Sequence, residues 1–147
     1  MAKARIVRQL STTNAAYIAG IIDGEGTISL TRRHRNENRQ LEVSISNTDM
    51  ALLQFVKECI GAGRISSKGT YRHNHSASAT YSISNRQALC LLRQINPYLR
   101  TYKAKRAGLI LENYLKLTPR NGFYTPEITR LREEFVERFL RANPLYR

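Results

Sequence analysis

Twice along this chain a pair of period-two segments runs into a segment with helical spacing, and that repeated order constrains the fold more than any other feature. In Thr27–Arg33 the apolar residues Ile28 and Leu30 alternate with polar ones, and Leu41, Val43 and Ile45 do the same in Gln40–Ser46. Such alternation marks half-buried antiparallel strands, joined here by the Arg/Asn-rich turn His34–Arg39. Asn47-Thr48-Asp49 then offers a helix start. Leu52, Leu53, Val56 and Ile60 share one helical face, and Gly61-Ala62-Gly63 stops it. The grammar recurs: Arg64–Lys68 and Ala79–Ser84 pair around a polar loop holding Tyr71-Arg72-His73-Asn74-His75. Asn85 then caps a helix bearing Ala88, Leu89, Leu92 and Ile95, ended by Asn96-Pro97.

Helical segments flank this repeat. Ser11-Thr12-Thr13-Asn14 supplies N-cap residues for a short apolar helix, Ala15–Asp23, with Gly24 and Gly26 as its stop. Lys103 to Leu117 places Ala107, Ile110, Leu111, Tyr114 and Leu117 on one side. Thr125-Pro126-Glu127 opens a last helix with Ile128, Leu131, Phe135 and Phe139 as its stripe. The order predicts an α+β fold, its sheet covered by helices on one face. With 147 residues and 41% apolar content the chain suits one domain, its core about 13–117 and a C-terminal helical segment about 118–147. No apolar run approaches the roughly 18 residues of a membrane span. Met1 to Asn14 is basic and acid-free without an apolar stretch, so it is no secretory signal, while an organelle-targeting role stays open. Cys59 and Cys90 lie far apart with no C-x-x-C, which points to small buried side chains in a reducing compartment, an organelle matrix or stroma or a bacterial cytoplasm.

The charge is uneven. Lys and Arg number 24 against 11 Asp and Glu, a formal net charge of +13. Between Cys59 and Leu111 there is no acid, and the bases are Arg64, Lys68, Arg72, Arg86, Arg93, Arg100, Lys103, Lys105 and Arg106. Arg32, Arg33, Arg35 and Arg39 gather around Glu37 alone. One-signed stretches favour a polyanion partner, above all nucleic acid. The polar side of the expected sheet carries Ser29, Thr31, Arg33, Gln40, Glu42, Ser44, Ser66 and Lys68, with Arg64 at the head of the third strand, and lies suited to a duplex. Arg35, Arg39 and Arg72 join Arg33 and Lys68 as candidate DNA contacts, of which phosphate and base readers are not separable by sequence. Tyr71 and Tyr81 either stack on bases or pack; alternation leaves the face of Tyr81 open. His73 and His75 lack the further ligands a zinc site needs.

The stretch Tyr17–Gly26, Y-I-A-G-I-I-D-G-E-G, carries the chemistry. Ala16, Gly20 and Gly24 recur every four residues, which lines small side chains along one face and admits another helix backbone closely. The helix also ends in two acids, Asp23 and Glu25. A carboxylate is unfavourable at the negative end of a helix dipole, so a cation is called for, and a divalent metal ion satisfies that need.

Ile18–Gly26 resembles the signature of the LAGLIDADG homing endonucleases, with aliphatic residues exchanged for one another and Glu in place of the final Asp. Asn47-Thr48-Asp49 before a helix ending in Ile60-Gly61-Ala62-Gly63 is similar to the family's segment after its second strand. Asn96-Pro97-Tyr98-Leu99-Arg100 with Lys103-Ala104-Lys105-Arg106 is similar to a later one. The likeness implies an αββαββα fold with a saddle-shaped antiparallel sheet lying along the DNA major groove, and metal-dependent cutting of both strands. It implies that Glu25 binds the catalytic metal with help from the Gly24 carbonyl, that Asn47 stands where an amide positions water or metal, and that Lys103, with Lys105 as a rival, stabilises charge near the scissile phosphate. The implied cofactor is Mg²⁺, two or three divalent ions per dimer, with Mn²⁺ or Ca²⁺ able to substitute in binding. Only one signature is present, so two copies are needed to cut two strands. The expected homodimer crosses at Ala16, Ala19, Gly20 and Asp23, on a long pseudo-palindromic double-stranded DNA site. Two other readings share the scaffold: an RNA maturase assisting intron splicing, with intron RNA as a partner, and a non-catalytic DNA-binding regulator. Glu25 separates them from the endonuclease, since a pure binder has no use for it.

Overall fold

The computed structural model describes residues 6–68 and 77–144. Among these the chain forms α1 (Thr12–Glu25), β1 (Gly26–Thr31), β2 (Gln40–Asn47), α2 (Met50–Ile60), β3 (Arg64–Lys68), β4 (Ser78–Ser84), α3 (Asn85–Ile95), a single 3₁₀ turn (Asn96–Tyr98), α4 (Tyr102–Asn113) and α5 (Pro126–Arg141). The helices and strands read from the periodicities are all present. The four strands make one antiparallel sheet in the order β1-β2-β4-β3, so the two hairpins meet along β2 and β4. The fold is α+β, as the sequence implies.

Local chemistry fixes the boundaries. Asp49 caps α2, its Oδ1 accepting from Ala51 N and Leu52 N at 3.0 and 3.4 Å, and Gly61 closes it in the left-handed region at φ +77. The expected cap of α3 is different: Asn85 is its first helical residue, at φ +55, and Ser84 before it makes no side-chain cap bond. α4 ends at Asn113 rather than Leu117. The chain continues in turns, and Tyr114 and Leu117 remain buried.

The described chain divides into two compact units, one ending at Leu99 and the other beginning at Arg100. In the first, one sheet face is apolar: Ile28 and Leu30, then Leu41, Val43 and Ile45, then Ala79, Tyr81 and Ile83. Onto it pack Ile18 and Ile22 of α1, Leu53, Val56 and Ile60 of α2, and Leu89, Leu92 and Ile95 of α3. Each such fully buried side chain contributes about 1.5–3 kcal/mol. The N-terminal stretch is tied down by Arg8 N–H donating to Ile60 O at 2.8 Å and Leu10 N–H to Gln94 Oε1 at 2.7 Å. The second unit pairs α4 with α5 around Ile110, Phe135 and Phe139; Leu131, expected in the α5 stripe, is exposed. No described helix is long and apolar enough to cross a membrane. Cys59 and Cys90 are free, half-buried thiols.

Candidate metal centre and nucleic-acid interface

α1 does not stop at Gly24. Glycine ends a helix by turning left-handed, and Gly24 is not among the described glycines with positive φ. The helix runs to Glu25 and passes straight into β1 through Gly26, whose backbone is extended (φ −90, ψ 169) and whose N–H donates to Ile22 O. Only glycine fits there, because a Cβ would stand 2.7 Å from Ile22 Cα. Glu25 thus sits on the seam between helix and sheet, exposed, at the carbonyl end of α1.

Strand register brings its partner. Gly26 lies opposite Ile45, so the residue before β1 faces the end of β2. There the Asn47 amide donates from Nδ2 to Glu25 Oε2, while its Oδ1 accepts from the Asp49 N–H at 2.7 Å. Asn47 is held from both sides. Asp49, itself bound to the first turn of α2, sets the amide so that its NH₂ group faces Glu25. The two residues singled out in the sequence therefore meet, and Asp49, a third, aligns them; the Asn-x-Asp spacing before a helix was the available signal.

This donor set suits a hard divalent ion. A carboxylate with an oxygen beyond its Asn47 bond, next to a helix end whose last carbonyls lack intrahelical partners, gives oxygen ligands. Among the described residues no three His, Cys, Asp or Glu side chains cluster. One exposed carboxylate fits Mg²⁺, which takes one or two carboxylates and fills its octahedron with water and phosphate. Lys103 lies in the first turn of α4, buried, its Nζ 5.9 Å from the centre of the Tyr102 ring; Lys105 is exposed.

The predicted helix-crossing face needs one correction. Ala16 and Gly20 are exposed and Asp23 is half-buried, but Ala19 is fully buried in the core of its own chain. Ala19 shares its helical phase with Ala15 and Ile22, while the small stripe runs Ala16–Gly20–Gly24. A Cβ at Gly20 or Gly24 would meet nothing within 4 Å. Tyr17, unassigned from sequence, is exposed beside this stripe with its ring edge-on to Phe55, 5.7 Å between centroids.

The outer sheet face is ordered in rows by the strand register: Thr31 with Gln40; Ser29, Glu42 and Ser84; Thr27, Ser44, Ser82 and Arg64; Ser46, Thr80 and Ser66. Ser29, Thr31, Gln40, Glu42, Ser44, Arg64 and Ser66 lie on it as expected, half-buried or exposed. Thr27, Ser46, Thr80 and Ser84 join them, missed though they share the strand parity; Ser46 and Thr80 hydroxyls are 2.7 Å apart. Tyr81 does not belong: it is fully buried on the other face, its hydroxyl donating to Ala62 O at 2.7 Å, and burial pushes that hydroxyl's pKa up. It stacks on no base. Arg33 and Arg35 are exposed beyond the end of β1. Arg39 is half-buried, its Nη1 donating to Leu30 O at 3.1 Å, so it braces the hairpin. The side chain of Lys68, and Tyr71, Arg72, His73 and His75, lie outside the described residues.

The family model of a LAGLIDADG-like domain matches residues 12–142. The homing endonuclease I-CvuI, solved with its target in the presence of Ca, superposes with TM-score 0.72 at 16% identity over 90% of this chain and 83% of that one. The archaeal intron-encoded homing endonuclease I-Vdi141I, complexed with DNA, gives 0.59 at 16% identity over 89% and 84%. The LAGLIDADG homing endonuclease I-GzeII, with its DNA target, gives 0.67 at 13% identity over 93% of this chain but 46% of its own. At these identities the likeness is one of fold. No curated protein matches the chain by sequence.

Proposed function

The chain belongs to the LAGLIDADG family, and from that premise we propose that it is a homodimeric, site-specific DNA endonuclease that makes a double-strand break by Mg²⁺-dependent phosphodiester hydrolysis. The observation that carries the reading is the Glu25–Asn47 contact at the helix–sheet seam, beside a polar sheet face. A binding protein has no need of an acid aimed by its neighbours at the negative end of a helix. Support comes from structures of similar fold solved with DNA and from the net charge of +13, with its long acid-free stretch.

The roles divide among this chain's own groups. Glu25, helped by the Gly24 carbonyl, would hold the ion; when bound, divalent metal neutralises charge building on the phosphate and lowers the pKa of bound water. Asn47 keeps the Glu25 carboxylate turned outward. Lys103 is assigned to charge stabilisation at the phosphate. Each copy brings one such carboxylate, so both copies act on a pseudo-palindromic site, with two or three ions per dimer.

Glu25→Gln keeps the shape and removes the negative charge. It should lower cleavage by at least about a hundredfold while leaving the Kd for the same duplex within a few-fold, read by gel-shift in Ca²⁺ and cleavage in Mg²⁺. EDTA should stop the wild-type reaction. Cleavage by Glu25→Gln at the normal rate overturns the site, and a wild-type chain that binds but never cuts with Mg²⁺ is a DNA-binding regulator instead.

A further inference from the structure

Resting on the DNA-binding reading above, we propose that Glu42 is a specificity-determining residue that selects cytosine in the major groove. It is the only acid on any of the four strands. It stands on central strand β2, on the outer face, in a row with Ser29 and Ser84. It is half-buried, and its carboxylate forms no ion pair with any described residue.

A face made only to hold phosphates would carry no such group, since a carboxylate repels them. Its presence needs a positive reason, and the base edges supply one. An ionised carboxylate only accepts hydrogen bonds. In the major groove guanine presents two acceptors, thymine an acceptor and a methyl, and adenine a donor beside an acceptor. Cytosine alone offers a donor, its N4 amino group, with no acceptor beside it. Glu42 therefore finds no donor on guanine or thymine, meets the N7 acceptor beside the donor of adenine, and is best matched by cytosine. The hydroxyls of Ser29 and Ser84 donate or accept equally well, so they leave Glu42 as the discriminating group of its row. In a two-fold dimer the cytosine recurs once in each half-site.

The test selects sequences from a randomised duplex library with the full chain in Ca²⁺. Wild type, Glu42→Gln and Glu42→Ala are compared after circular dichroism confirms that each folds. The wild type should prefer cytosine by about tenfold or more at one position per half-site. Glu42→Gln should move that preference to adenine, whose N6 and N7 a Gln amide engages together. Glu42→Ala should erase it, and every other position should keep its profile. If both variants retain the wild-type profile and merely bind all sequences more tightly, Glu42 acts on the phosphate field alone and the proposal falls. Loss of preference at every position by a folded variant also overturns it, as a structural role. A wild type that enriches nothing refutes the DNA-binding reading itself, and the assignment of Glu42 with it.

Discussion

Gly63 turns at φ +94 beneath the ring of Tyr81, where a Cβ would stand 2.5 Å from the hydroxyl oxygen. Backbone conformation and space both exclude a side chain. Gly63→Ala should lose about 2 kcal/mol or more of unfolding free energy in urea. The ring it protects gives a pH signature. Burial raises the Tyr81 hydroxyl above its ordinary value of 10.0. Below that pH the folded and unfolded chains both hold the proton and the stabilisation is fully present. Above it the unfolded chain releases its proton first, so the contribution is lost as pH climbs. Tyr81→Phe, which leaves Ala62 O without its donor, should be less stable than wild type by about 1 kcal/mol at pH 9. The gap should narrow by pH 11, in urea titrations of the two proteins. Part of this was legible: Tyr81 shares strand parity with Ala79 and Ile83, opposite the hydroxyls of Ser78, Thr80, Ser82 and Ser84. What alternation alone could not supply was the pairing partner, Ile45, that fixes the apolar side.

At the scale of elements, α4 and α5 grip one another through two buried arginines. Arg106 of α4 reaches the end of α5, its Nε donating to Ala142 O at 2.9 Å, with the guanidinium 4.6 Å from the Phe139 ring centre. Arg132 of α5 reaches the tail of α4, donating to Leu117 O at 2.6 Å and Thr118 Oγ1 at 2.7 Å, and lies over the Tyr114 and Tyr124 rings. Each donates to a backbone carbonyl just beyond a helix, Ala142 after α5 and Leu117 in the turns after α4, where no helical N–H supplies the bond. Arg132→Met keeps the volume and removes the donors, so it should cost about 1–3 kcal/mol. Arg132→Lys should not rescue it, because an ammonium cannot stack as a planar guanidinium does. Hydrogen exchange should quicken over Pro126–Arg141 in both. These contacts were invisible in the sequence, where Arg106 counted simply as one more base for a polyanion. The start of α1 was legible to within one turn: of the four cap residues read before Ala15, Ser11 is the cap, its hydroxyl accepting from Asn14 N at 3.1 Å, and the helix begins at Thr12. Its end was not, because a glycine spacing that suits close helix approach reads locally as a stop.

For the whole molecule, the formal charge of +13 overstates what faces a partner, since Arg106 and Arg132 are buried and hydrogen-bonded to carbonyls of their own chain. The resemblance of Ile18–Gly26 located Glu25, and with it the reason to propose a second copy, without any knowledge of side-chain contacts. The structure adds which small residues of α1 are exposed: Ala16, Gly20 and Gly24 are, whereas Ala19 is not. This separates folding from assembly. A Cβ at Gly20 meets nothing within 4 Å, the residue is exposed, and replacing a helical glycine by leucine favours the helix by up to about 1 kcal/mol. Gly20→Leu should therefore keep or slightly raise Tm. It should also hold two helix backbones apart, so sedimentation should show a monomer where the wild type shows a dimer, and cleavage of both strands should fall together. A Gly20→Leu protein that remains dimeric and cuts at the wild-type rate would place the two-fold contact elsewhere, and would leave the pairing of two Glu25 carboxylates without its geometric basis.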